Sequence, residues 1–235
     1  MLGPSSYQPV TVVRAWDETR AFRGVGLALP GPLADGHQRP GQVVKIRTPA
    51  GEGFFALASA PTQGGAAELL LKRGGKVADT VAGAAVPGGA LQLTAPFGKG
   101  FPVEEAEGRD VLLFAAGSGI APIRSLVQHL LADRARFGRA TLFYGQRHGA
   151  EFAYRDEAAA WDRGGVRVVL CPSQAEEAWD GVRGRVQEVA RSLGFGGHAP
   201  EDTVAFACGM KAMVEDVRRT LGEFGVPPDR VHANF

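Results

Sequence analysis

The sequence predicts two domains in series: an antiparallel six-stranded β-barrel over residues 1–107, then a parallel, doubly wound α/β domain over 108–235. Three observations predict this. The first hundred residues hold six short β-type runs separated by glycine and proline, the spacing of a small barrel or sandwich. From about residue 109 strand-like and helix-like stretches alternate, the pattern of a parallel sheet with helices on both faces. Between the textures lies Pro96–Asp110, which carries Gly98, Gly100, Pro102 and Gly108.

In the first domain the strands are expected at Val10–Val13, Gly24–Leu29, Gln42–Arg47, Phe54–Ala58, Glu68–Lys72 and Leu91–Thr94. Lys76 to Ala82 reads as a short helix covering one mouth of the barrel. In the second domain the strands are expected at 111–116, 140–145, 166–170 and 203–207, with a last short strand at 231–235. The helices are expected near 120–133, 151–162, 182–193 and 210–224. Gly194, Gly196 and Gly197 mark a loop before the fourth strand.

The stretch Val111 to Leu130 is the most informative. Val111–Ala116 is apolar without alternation, as in a central strand covered on both faces. Gly117, Ser118 and Gly119 allow a tight turn, and Pro122 sits at the start of the next helix, where a missing N–H costs nothing. Such a turn aims free N–H groups and a positive helix end at one point, which suits a diphosphate. A turn of this kind also lets a strand and a helix approach closely with no ligand, so both readings stand at this point.

Composition narrows the function. The net charge of +1 gives no electrostatic case for nucleic acid. No apolar run approaches the ~20 residues of a membrane span. The first residues, Met-Leu-Gly-Pro-Ser-Ser-Tyr-Gln, do not resemble a signal peptide, so a cytoplasmic protein is expected. Cys171 and Cys208 are the only cysteines, too few for a disulfide framework or a four-thiolate iron–sulfur cluster. The five histidines lack metal-ligand spacing, and no metal site is expected.

Several passages, in order, resemble the ferredoxin–NADP⁺ reductase superfamily. They are Phe54–Pro61, Leu70–Ala78, Thr94–Gly98, Ala116–Ser125, Phe143–Arg147, Ala207–Met210 and the terminal Asn234-Phe235. Within it the chain looks closest to a group of FAD/NAD(P)-binding oxidoreductases that includes a plant fruit protein. The resemblance implies a barrel that holds FAD through Phe55, Ala56, Leu57, Ser59, Lys72, Gly75, Lys76, Val77 and Ala78. It implies an NAD(P)H site formed by Gly117, Ser118, Gly119, Ile120, Pro122, Tyr144, Gly145, Arg147, Gly209 and Met210. It places Cys208 near the nicotinamide and Phe235 on or near the flavin ring, the two positions closest to the chemistry.

The bland readings stay open beside these: barrel core for Phe55, a solvated ion-pair residue for Arg147, a small buried hydrophobe for Cys208, and an aromatic plug for Phe235. The chain also departs from the family pattern. Gly53-Phe54-Phe55-Ala56 stands where Arg-x-Tyr-Ser is usual, and Ala78 replaces a Ser or Thr. Each lost polar contact removes on the order of 1 kcal/mol. Lys72, Arg73 or Lys76 are the candidates to supply replacement charge.

The resulting expectation is a flavin-dependent oxidoreductase. It passes a hydride from NAD(P)H to FAD and electrons onward to an unidentified acceptor, either a small molecule or a redox protein. Pro172-Ser173-Gln174 lacks the arginine of NADPH-selective relatives, which favours NADH, while Arg147 keeps NADPH open. Two rivals remain: a nucleotide-binding module that has lost its flavin, and an NAD(P)H-docking subunit of a larger redox complex.

Overall fold

A computed structural model describes residues 6–61 and 65–234. The chain divides into two units, residues 1–100 and 101–235.

The first unit is a six-stranded antiparallel sheet. Its strands are β1 (Gln8–Asp17), β2 (Phe22–Ala28), β3 (Val43–Thr48), β4 (Gly51–Ala56), β5 (Ala66–Lys72) and β6 (Ala90–Leu93). A four-residue helix, α1 (Gly31–Ala34), follows β2, and α2 (Lys76–Ala84) follows β5. The strand order is β4-β3-β6-β1-β2-β5. The two outer strands are brought together by a bridge between Leu57 and Leu69, with the Ala58 N–H donating to the Glu68 carbonyl at 2.7 Å. The sheet is therefore a nearly closed barrel. Period-two pairs supply its core: Val10 and Val12, Val25 and Leu27, Val44 and Ile46, Leu69 and Leu71, Leu91 and Leu93 are all buried. Alternation sends these side chains to one face of each strand, so closing the sheet gathers them inside.

The second unit contains β7 (Asp110–Ala116), α3 (Ile120–Ala132), β8 (Ala140–Gln146), α4 (Arg155–Arg163), β9 (Val166–Pro172), α5 (Val186–Ser192), β10 (Thr203–Cys208), α6 (Lys211–Phe224) and β11 (Val231–Ala233). All five strands run parallel in the order β11-β10-β7-β8-β9. α5 and α6 bury Val186, Val189, Val214, Val217 and Leu221 against Leu112, Phe114, Phe143 and Ala205. Phe114 and Phe143 stack across adjacent strands at 5.5 Å. The order reverses between β7 and β10, and in open sheets of this kind ligands bind beyond the carboxyl ends of the strands at that reversal.

Differences from the sequence reading have local causes. The second unit begins at Phe101, which is buried edge-on to Phe206 of β10 at 5.4 Å. The helix expected from residue 151 starts only at Arg155. Tyr154 takes the left-handed conformation (φ 60°), and Phe152 and Ala153 are buried ahead of it. The helix expected over 182–193 shortens to α5, because 173–185 forms a loop that folds back along β8.

Candidate functional site

In the second unit the turn after β7 is set by two glycines with different roles. Gly117 has φ +59° and open space around it, so its demand is conformational. Gly119 has an ordinary helical φ of −61°, and its demand is steric. A Cβ there would stand 2.2 Å from the Cys208 carbonyl oxygen and 2.9 Å from the Gly209 nitrogen. The turn after β7 thus lies backbone to backbone against the end of β10. This is the reversal point of the sheet, and it joins Gly119, Cys208 and Gly209 in one place.

Gly117–Gly119 forms one 3-10 turn that the Ile120 N–H closes onto the Gly117 carbonyl, so the Ser118 N–H comes before its first bond. It is the natural donor for an anion, and the positive end of the 13-residue α3 adds to it. Ile120 and Pro122 are buried, so their contribution is to hold the turn.

Cys208 is half-buried at the end of β10, and its thiol donates to the Asn234 carbonyl at 3.4 Å. Burial pushes the Cys208 thiol up to about 12, so it stays protonated and acts as a small neutral wall. Met210 follows with its side chain 73% exposed, at the N-cap of α6. Gly209 lies beneath Met213, whose methyl group would meet a Cβ there at 2.4 Å.

At the end of β8, Gly145 is buried under Val186 and Arg147 is exposed. Tyr144 is placed differently from the others. It is buried, its hydroxyl accepts from Gln146 Nε2 (2.7 Å) and the Ala153 N–H (3.2 Å), and Phe152 lies edge-on at 5.0 Å. It anchors the segment before α4. Sequence reasoning also missed Arg124, buried in α3. Its guanidinium binds both carboxylate oxygens of Glu157 (2.8–3.1 Å) and lies 4.4 Å over the Tyr154 ring, tying α3 to α4. No signal near Arg124 marks that partner, which is 33 residues away.

In the first unit the flavin candidates cluster on β4 and α2. Phe55 is half-buried against the barrel core, and the neighbouring Phe54 faces the other way, 66% exposed. Ala56 is half-buried at the end of β4. Leu57 is wholly buried, its N–H donating to the Gln42 carbonyl at 3.0 Å. Ser59 is buried and accepts the Glu68 N–H at 3.0 Å.

Gly53 stands where an arginine is usual, and a Cβ there would meet Val77 at 3.1 Å. The place is closed by the helix that follows β5. That helix offers its own donors. The first intrahelical bond runs from the Asp79 N–H to the Gly75 carbonyl (2.8 Å), so the N–H groups of Lys76, Val77 and Ala78 precede it. Gly75 is the N-cap, and no side chain caps the turn. Asp79 turns back to accept the Gly74 N–H at 3.0 Å. Lys72 and Lys76 are exposed on either side of the turn, while Arg73 pairs with Asp17, which also binds Arg23 at 2.9 Å. These residues fit a phosphate held by backbone N–H groups and flanking lysines, in place of an arginine on β4. Phe235 lies outside the described residues.

Among the described residues no group of three or more His, Cys, Asp or Glu is placed to hold a metal ion, and no helix is long and apolar enough to cross a membrane.

Residues 113–219 match the family model of the oxidoreductase NAD-binding domain. Ferredoxin–NADP reductase B of Sorangium cellulosum is 32% identical over 191 residues, which cover 78% of this chain and 72% of the relative. The gamma subunit of sulfhydrogenase 1 from Pyrococcus furiosus is 30% identical over 198 residues, 82% of this chain. The chain spans 66% of that subunit's length, and 57% of the reductase component of propane 2-monooxygenase from Mycolicibacterium goodii. Among solved structures, a ferredoxin NADP⁺ reductase from Neisseria gonorrhoeae with bound FAD and NADP superposes with a TM-score of 0.82 at 20% identity. The match covers 98% of this chain and all of that one.

Proposed function

The chain belongs to the ferredoxin–NADP reductase family, and from that premise we propose that it is a flavin-dependent NAD(P)H oxidoreductase that delivers electrons to a separate acceptor. When bound, the two cofactors supply the redox chemistry, a hydride passing from the nicotinamide to the flavin; the protein supplies binding, orientation and exclusion of water.

The observation that carries this reading is the backbone contact of Gly119 with Cys208 and Gly209. It brings the diphosphate-type turn and the end of β10 to one point at the reversal of the sheet. The Ser118 N–H and the positive end of α3 would hold the dinucleotide diphosphate. The neutral Cys208 thiol and the exposed Met210 border the nicotinamide end, where a thiolate would add an unwanted charge. In the first unit the N–H groups of Lys76–Ala78 take the flavin phosphate and Phe55 lies along the ring. Phe235 is assigned to the flavin end by resemblance alone.

The acceptor we favour is a redox protein, because relatives carry names such as reductase component and ferredoxin–NAD⁺ reductase component of oxygenase systems. The likeness to a sulfhydrogenase gamma subunit favours a second reading, in which the chain works as the NAD(P)H-docking part of a larger redox complex. Purification under native conditions separates the two: a stoichiometric partner supports the subunit, and a lone yellow protein supports the free reductase. A protein that stays colourless with excess FAD contradicts the free reductase and leaves a docking subunit or a nucleotide-binding module that has lost its flavin.

A further inference from the structure

Beyond β9 the chain turns through Ser173 and Gln174, whose N–H groups donate to the carbonyls of Gln146 and Arg147 at 2.9 and 2.8 Å. The loop that follows is therefore fastened along the carboxyl end of β8. It brings the Glu176 carboxylate to that edge. Glu176 Oε2 accepts the Gly149 N–H at 3.4 Å, and His148 Nδ1 lies 3.5 Å from Oε1 while donating to the Gln174 carbonyl at 2.9 Å. The carboxyl is held below the usual glutamate value, chiefly by the backbone N–H of its own residue and then by that of Gly149.

The surroundings are shaped for this placement. A Cβ at residue 149 would stand 2.6 Å from the Trp179 ring and 3.3 Å from Glu176 Oε2, so a side chain there would push the loop away. Trp179 lies 5.7 Å from Phe152, and its indole N–H donates to the Val182 carbonyl at 3.2 Å. Arg183 donates to the carbonyls of Glu176, Glu177 and Trp179 at 3.0–3.1 Å. A guanidinium that braces three carbonyls of the loop is not standing ready for a phosphate. Arg147 is the opposing charge at the same edge, exposed and extending from the end of β8.

We infer that Glu176 sets the coenzyme choice: its carboxylate accepts the ribose 2′-hydroxyl of NADH and opposes the 2′-phosphate of NADPH. The inference rests on reading the carboxyl edge of the second unit as the NAD(P)H site, and it narrows that reading to NADH. A carboxylate serves a ribose 2′-hydroxyl well, as an acceptor, and a 2′-phosphate badly. A dianion brought within about 6 Å of a carboxylate in water-like surroundings is disfavoured by roughly a factor of ten.

The test is calorimetric titration of the full chain with 5′-ADP and with 2′,5′-ADP, in buffer containing excess FAD so that the first unit is occupied. The wild type and Glu176→Gln are compared; residue 176 is more than half exposed, and the melting temperature checks that the variant folds. The wild type is expected to bind 5′-ADP about tenfold more tightly than 2′,5′-ADP. In the variant that ratio falls toward one, mainly because 2′,5′-ADP binds better, and the gain shrinks in high salt. Both ligands binding with the same ratio in the two proteins overturns the role of Glu176 and leaves the coenzyme site standing. Neither ligand binding to the wild type removes the site and the inference together.

Discussion

Replacing Gly119 by alanine places one carbon 2.2 Å from the Cys208 carbonyl oxygen and 2.6 Å from its carbonyl carbon. Both are backbone atoms inside a parallel ladder, where Cys208 pairs with Ala115, so neither swings aside as a side-chain end would. Ordinary contact begins near 3.4 Å, so the turn and β10 must separate by about 1 Å. Overpacking of this kind costs about 1–3 kcal/mol. A displacement of about 1 Å at a ligand-positioning turn costs on the order of a hundredfold in function. The companion variant is Gly117→Ala. Residue 117 has open space but a φ of +59°, so alanine there meets no obstacle and loses only about 1 kcal/mol of backbone preference. NAD⁺ affinity by calorimetry, melting temperature and flavin content are measured for both. Gly119→Ala is expected to lose NAD⁺ binding far more than Gly117→Ala, with flavin retained by the first unit. Wild-type NAD⁺ affinity in Gly119→Ala, or loss of flavin alone, refutes the reasoning.

Two further expectations follow from buried groups. Cys208 and Cys171 both have thiols pushed up to about 12 by burial, from an ordinary value of 9.0; because only the thiolate reacts, alkylation at pH 8 in the folded protein runs roughly a thousandfold slower than for a free thiol, and a rate matching that of a small thiol contradicts the neutral role of Cys208. His37 is buried and its pKa is pushed from 6.5 down to about 4 by burial; the unfolded chain binds the proton first as pH falls, so His37 costs no stability above about 6.5 and progressively more down to about 4, on the order of 2–3 kcal/mol. Urea midpoints at pH 7 and pH 4 for the wild type and His37→Phe check this, and a pH dependence unchanged by the substitution counts against it.

The legible parts of the chain are those whose signal is local. Val111–Ala116 reads as a buried strand because every residue is apolar, and Gly117 and Pro122 read as a turn because each answers a backbone demand at its own position. The six barrel strands show in period-two pairs such as Val44 and Ile46 for the same reason. What escaped the sequence depends on distant partners. Tyr144 is one of the residues expected in the NAD(P)H site, but a strand covered on both faces gives no alternation to say which way its ring points; in the structure the ring is buried, with Phe152 edge-on to it. The start of α4 is set by the left-handed Tyr154, which the sequence does not announce. Arg124 in an apolar helix is explained only by Glu157, and Glu176 only by Gly149 and His148. Those pairings exist only once the strands are ordered.

The central claim is that one chain holds a flavin and draws electrons for it from a pyridine nucleotide. Anaerobic titration of the FAD-loaded protein with NADH, and separately with NADPH, tests it most directly. The account predicts that flavin absorbance bleaches with one equivalent of NADH, and more slowly with NADPH. A flavin that remains fully oxidised with excess of either nucleotide contradicts it.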